Sequence, residues 1–400
     1  MNKILRTPLL IFGIATLASC SDNNEVISET AIETAKTEFV TNYVNIVEAN
    51  YNDALSKAKE LQTAIYSFVD VPDAIKFEAA KEAWLEAREP YGQTEAYRFY
   101  NGPIDGSAEG EPEGSINAWP LDEGLIDYVV GGTEGSSKNL IADNTFELTA
   151  ENIKSLNGEG GETNVTLGYH AIEFLLWGQD ITDPSEKKAG QRPFTDYTTK
   201  ENADRRKSYL KIAVDILVED LESVVVQWKP GAAYRDEFLA LSKDNAIEKI
   251  LTGAAKLSNG ELAGERIATA VVNQDQEDEH SCFSDNTHRD IFLNALSINN
   301  IINGTYTKVD GTKISGTSLL EVLKLVNSTE SASLKSTADE VMVKVQEISD
   351  KKFFDYQIIG ETEDNTSKPI MSTVSSLRRQ GDKLVQAGKT ISNKNIDPSV

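Results

Sequence analysis

His170 and Glu173 stand three residues apart in an otherwise apolar run, Leu167 to Asp180 (LGYHAIEFLLWGQD). At helical spacing they project from one face, with Trp177 one turn further on. From Leu167 to Trp177 the run is apolar almost all round, which marks a helix enclosed in a core. A glutamate placed there needs a partner, because a lone carboxylate is costly to bury. Imidazole and carboxylate together can hold a metal ion. They can also hydrogen-bond to each other and simply fix the packing. Both readings stand at this point. Thr166 offers a helix start and Gly178 a stop.

The other two histidines of the chain fall in a second unusual stretch, Asp275 to Asp290 (DQEDEHSCFSDNTHRD). Ser284-Asp285-Asn286 carries N-cap chemistry for a helix over Thr287 to Ile302. His288 heads its apolar face, followed by Ile291, Phe292, Ala295 and Leu296, so His288 is expected to point inward. His280 is expected in an exposed, acidic approach. Cys282 is expected to be a buried, inert thiol.

These groups need elements to position them. Ser28 to Val69 has one long helical pattern, with Phe39, Tyr43, Ile46, Val47 and Tyr51 spaced by three and four. Val71-Pro72-Asp73 breaks it. A second helix is expected over Ala74 to Tyr100, kinked at Pro90 and Gly92. Trp84, Arg88, Tyr91, Glu95 and Arg98 lie on one stripe of it. That stripe reads either as a solvated salt-bridge face or as a polar interior wall opposite His170. Pro120 is placed for the first turn of a short helix. Asp183 to Thr198 reads as a polar linker. Beyond it, amphipathic patterns cover Glu201 to Trp228, Ala232 to Leu257, Glu261 to Asn273, Leu319 to Val326, Leu334 to Ile348 and Met371 to Ile391. Tyr306 to Ile314 reads as a hairpin turning at Asp310-Gly311. The resulting architecture is all-α: two helical-bundle-like domains packed together, over residues 28–195 and 196–400.

The 400 residues leave room for substantial cores, and 40% apolar with 8% aromatic content fits a folded chain. A net charge of -25, from 64 acidic against 39 basic residues, excludes nucleic acid and anionic membrane surfaces as natural partners and favours cations. Residues 1–20 read as a lipoprotein signal: Lys3 and Arg6, an apolar stretch Leu9 to Leu17, then Leu17-Ala18-Ser19-Cys20. Cys20 is the expected lipidated residue and residues 21–27 a polar tether. Lipidation leaves Cys282 as the only thiol, so packing must stabilise the exported chain without an intramolecular disulfide.

Three stretches together resemble the imelysin family of exported bacterial proteins. They are Gly168-Tyr169-His170-Ala171-Ile172-Glu173, matching the family's G-x-H-x-x-E; Asn117-Ala118-Trp119-Pro120-Leu121-Asp122; and Glu279 to His288. The resemblance covers about residues 30 to 395. It implies a helical fold with the G-x-H-x-x-E element near the interface of two bundles. It also carries two conflicting activities, since the family is classed as metallopeptidase-like while several relatives are linked to iron.

A zinc peptidase needs three protein ligands, an open position and a base. H-E-x-x-H is absent, and the inverted H-x-x-E-H fails at Phe174. Metal capture asks for less. Reversed in order, His170 and Glu173 match the Glu-x-x-His pairs that hold iron in helical bundles. The resemblance and the stripe add Glu95 and Asp122 as oxygen ligands, with His288 as a further donor. Arg88 and Tyr91 are expected in support behind them. The expectation is therefore an outer-membrane lipoprotein, periplasmic or surface-facing, that binds a metal ion, iron before zinc, and works with iron-transport components. A peptidase, or a helical scaffold that binds glycan or protein in the cleft between bundles, is the alternative.

Overall fold

Ser28 starts the first helix by accepting the Ala31 N–H on its hydroxyl, and Phe39, Tyr43, Ile46, Val47 and Tyr51 then bury one face of it. In the computed structural model, which describes residues 28–106, 112–130 and 139–399, this helix is α1 (Glu29–Asp70). The signal, Cys20 and the tether lie outside those residues. Asp73 caps α2 (Ala74–Tyr91) through the Lys76 N–H. Pro90 does more than kink this helix. Lacking the N–H that would continue the ladder, it precedes the helix end, and residues Gly92–Tyr97 tighten into a 3₁₀ segment.

Short helices follow: α3 (Glu113–Ile116), α4 (Glu123–Ile126) and α5 (Ala150–Leu156). Pro120 lies between α3 and α4, after a cis Trp119–Pro120 bond, and not in a helical first turn. The apolar run forms α6 (Gly168–Trp177), enclosed over its whole length. Thr166 does not cap it: its hydroxyl donates to Ile153 O, and Leu167 is the N-cap residue. Gly168 enters the helix at φ +86°, and a Cβ there would meet the Ile116 carbonyl oxygen at 2.5 Å. Gly168→Ala is therefore expected to cost about 1–3 kcal/mol, read from the shift of a urea unfolding curve.

Residues 183–198 are no free linker, because Arg192, Asp196 and Tyr197 are buried there. Asp127 accepts from both Arg192 and Arg206 and ties the stretch to α7 (Ala203–Trp228). α7 lies along α1 and against α6. After α8 (Ala233–Ala240), the chain runs continuously through α9 (Lys243–Lys256), a wide π-helical stretch over Leu257–Ala268, and α10 (Thr269–Asn273). α11 (Thr287–Asn303) ends on Gly304 in the left-handed region.

The hairpin forms as expected, β1 (Thr305–Thr307) against β2 (Lys313–Ser315), with Tyr306 opposite Ile314 and Gly311 at φ +83° in the turn. Tyr306 donates to Asp53 on α1 and so docks the hairpin. α12 (Leu319–Val326) carries a full capping box from Ser318 and Glu321. α13 (Ser328–Lys351), α14 (Phe354–Ile358) and α15 (Pro369–Ser392) complete the chain. α11, α13, α15 and the π-helical stretch pack on one another, and their core is continuous with that around α1, α2, α6 and α7. No helix among the described residues is long and apolar enough to cross a membrane.

Candidate metal centre

α6 places His170 and Glu173 side by side, both fully buried, with His170 Nδ1 2.9 Å from Glu173 Oε2. The other glutamate oxygen accepts from the Ser284 N–H at 2.9 Å and the Ser284 hydroxyl at 2.6 Å. Glu173 is thus fully engaged in orienting His170 and holding the segment before α11. His170 Nε2 is buried and has no hydrogen-bond partner.

That segment delivers the second histidine. His280 is 3% exposed, and its ring packs nearly perpendicular to that of His170, centroids 4.6 Å apart. The expected roles of the two C-terminal histidines are therefore exchanged. His288 is only partly buried and its Nδ1 bonds Asp285 O. The acidic residues ahead of His280 signalled exposure, yet the chain folds inward after them because Glu173 captures Ser284. Asn286, the N-cap residue of α11, makes no side-chain capping bond. Thr287 accepts the Ser281 N–H instead.

His280 Nδ1 lies 2.9 Å from Asp290 Oδ2, and Ser281 also donates to that oxygen. Arg88 donates to Asp290 Oδ1 from Nη2 at 3.0 Å and to Asn117 Oδ1 from Nη1. The Arg88 guanidinium lies 5.1–5.6 Å from the ring centres of Trp84, Tyr91 and Tyr169. So the stripe is an interior wall: Arg88 holds the carboxylate that backs His280, and Tyr91 packs against Arg88 and Tyr169. The carboxylate that Arg88 holds is Asp290, which sequence reasoning missed. A signal existed: Asp290, Asn294 and Ser297 are polar positions on the buried stripe of α11.

Glu95 and Asp122 are not brought in as ligands. Glu95 Oε2 accepts from Arg98 and Arg266, both at 2.8 Å, and Oε1 from Asn117. Asp122 is exposed at the start of α4. Arg266, projecting from the π-helical stretch, also donates to Asn294 and Glu261. Two hydrogen-bonded runs, one from Ser284 through Glu173 to His170 and one from His280 through Asp290, Arg88, Asn117 and Glu95 to Arg266, thus meet where the two imidazole rings pack.

Burial dominates the protonation of these groups. It pushes the Glu173 carboxyl up to about 8, against the opposing Ser284 donors. It pulls His170 well below the usual imidazole range, helped by His280 and Arg88. It lowers His280 to about 4, with Arg266 adding to the shift. For Glu95 burial acts upward, but Arg266 and Arg98 outweigh it and hold the carboxyl at about 2. Asp290 behaves likewise, held well below its usual range by Arg88 and His280. Cys282 is buried, as expected, and burial raises its thiol far above its usual value, which disfavours the reactive thiolate.

At neutral pH the centre therefore presents two uncharged imidazoles, each backed by a carboxyl group. The arrangement fixes the rings. The Glu173 carboxyl, protonated below about 8, donates to His170 Nδ1, and the far nitrogen becomes free for a metal once that carboxyl loses its proton and accepts from Nδ1. Among the described residues, no three His, Cys, Asp or Glu side chains converge as a finished coordination set. What fits a borderline cation is the pair of imidazoles, with Glu173 and Asp290 orienting them and not ligating.

Fold and centre define a helical protein built around a buried histidine–carboxylate network. The imelysin family profile matches residues 47–384, and the chain belongs to that family. Iron-regulated protein A of Synechococcus elongatus is 26% identical over 304 residues, which span 73% of this chain and 69% of that protein. Among solved structures, an iron-regulated protein A precursor from Parabacteroides distasonis aligns with a TM-score of 0.64 at 18% identity, covering 89% of this chain and 95% of that one. An imelysin-like protein from Psychrobacter arcticum aligns with a TM-score of 0.51 at 15% identity, covering 90% and 93%. Both crystal structures share the helical fold.

Proposed function

We propose that this imelysin-family chain is an exported lipoprotein, anchored to the outer membrane through Cys20, that binds a metal ion at His170 and His280. Iron is the favoured ion, zinc the alternative, and delivery to iron-transport components is the role. The observation that carries the reading is the buried, unpartnered Nε2 of His170. An imidazole held at Nδ1 by a carboxyl group and bare at Nε2 is arranged as a ligand for a borderline cation. The names of the relatives link them to iron, and the chain's net charge of -25 favours cations.

The test is elemental analysis of the mature protein after equilibration with competing ferrous and zinc ions and dialysis. Stoichiometric iron is expected in the wild type and its loss in both His170→Ala and His280→Ala, with helical circular dichroism retained. Wild-type protein without metal, or variants that keep it, would overturn the proposal.

A further inference from the structure

His170 has no exposed surface, whereas His280 keeps 3%. The outward member of the pair must therefore meet solvent somewhere. A cleft of about 500 Å³ reaches Cys282, two residues after His280, and is lined as well by Trp119, Pro120, Glu123, Glu277 and Asp278, but not by either histidine. Its described lining contains three carboxylates and no lysine or arginine. Glu123 and Glu277 come within hydrogen-bonding reach of each other across it. Trp119, partly exposed, belongs both to the cleft and to the centre: its indole packs against the His280 ring, centroids 6.1 Å apart. Asn117, two residues before it, is bound to Arg88 and Glu95 and anchors the segment to the buried network.

We propose that this cleft is the access route for hydrated cations to the histidine pair, and that the Trp119 indole stands between the cleft and His280. The chemistry of the lining decides the class of ligand. Glu123 and Glu277 share a proton, with Glu277 pushed up to about 8, yet the lining keeps negative charge with no counter-charge, which concentrates cations and repels anions. A cation leaving them meets neutral imidazole next, which binds borderline ions through nitrogen. Trp119 is a gate and no ligand, since an indole N–H donates only.

The cation part rests on the proposed metal reading, while the geometry of the route does not, so two measurements separate them. First, diethyl pyrocarbonate, an electrophile that acylates neutral imidazole, is applied to the whole mature protein, and labelling at each histidine is timed by peptide mass spectrometry. Trp119→Ala is expected to accelerate labelling of His280 several-fold and leave the partly exposed His288 unchanged, while Trp119→Phe keeps the wild-type rate. An unchanged His280 rate, or equal acceleration at both histidines, overturns the gate. Second, uptake of ferrous ion is followed by tryptophan fluorescence under argon. Glu123→Gln with Glu277→Gln is expected to slow uptake several-fold and to flatten its dependence on salt. Uptake unaffected by these changes overturns the cation route. Wild-type protein that takes up no ferrous ion sinks the metal reading and the cation assignment, while the labelling result still decides the gate.

Discussion

Arg88→Met is expected to lower the unfolding free energy by about 3–5 kcal/mol, the usual cost of removing one member of a buried ion pair. Arg88 and Asp290 are both 1% exposed, so methionine would leave a carboxylate inside the core with only His280 and Ser281 beside it. The Asn117 side-chain oxygen would lose its donor as well, while its NH₂ group keeps Glu95. The pH dependence identifies the cause. In the wild type Asp290 lies below its usual 3.8, so its contribution is present above that value and fades as acid protonates it. Without Arg88, burial drives Asp290 upward, and the folded variant takes up a proton that the unfolded chain would release. The gap between the two proteins should therefore be widest at pH 7 and shrink towards pH 4 in urea titrations. A gap independent of pH would mean that lost packing against Trp84, Tyr91 and Tyr169, not the charge, carries the effect.

Glu173→Gln should lower metal affinity by about 10–100-fold with the fold intact, the range for changes in groups that orient a metal-binding histidine. The reasoning follows the hydrogen bonds. Ser284 offers two donors to one oxygen of Glu173, so the amide oxygen of glutamine must take that place. Its NH₂ group then faces His170 Nδ1 and donates to it. Glu173 can give up its proton when a metal binds and then accept from Nδ1, whereas glutamine cannot. In the variant the imidazole therefore keeps its proton on Nε2 and withholds the lone pair a metal needs. Isothermal titration with ferrous ion under argon reads the loss. Wild-type affinity in the variant would show that the tautomer is irrelevant and that His170 is no ligand. Stability gives an independent sign. The Glu173 carboxyl sits at about 8 against a usual 4.5, so its contribution is full below about 4.5 and is lost as pH rises through about 8. Glutamine does not ionise, so the variant should gain on the wild type over that interval.

Much of the scaffold was legible in the chain. Apolar residues at three- and four-residue spacing marked α1, α7, α11, α12, α13 and α15, and Asp310-Gly311 marked the hairpin. Such patterns are written locally, because a helix or a tight turn is specified by neighbours a few residues apart. The placement of His170 and Glu173 on one enclosed face followed from the same periodicity. Boundaries governed by distant contacts were harder. Gly168 starts α6 where it does because the α3 carbonyl leaves no space for a Cβ, and that contact joins positions 116 and 168. The imelysin resemblance pointed to His170 and Glu173 and added Glu95, Asp122 and His288, whereas the fold sets His280 beside His170 and Asp290 behind His280.

By itself, then, the sequence determined the helical class, most of the elements, the family and one buried histidine–glutamate pair. Tertiary structure decided the company that pair keeps. A charged residue reads the same in sequence whether water or a core surrounds it, and only its partners distinguish the two. Arg88 meets Asp290 across 202 positions, Glu95 meets Arg266 across 171, and Glu173 meets Ser284 across 111. Each contact satisfies a group whose burial alone would be costly. Those long-range pairings turn an apparently solvated stripe into an interior wall and an apparently exposed histidine into the neighbour of His170.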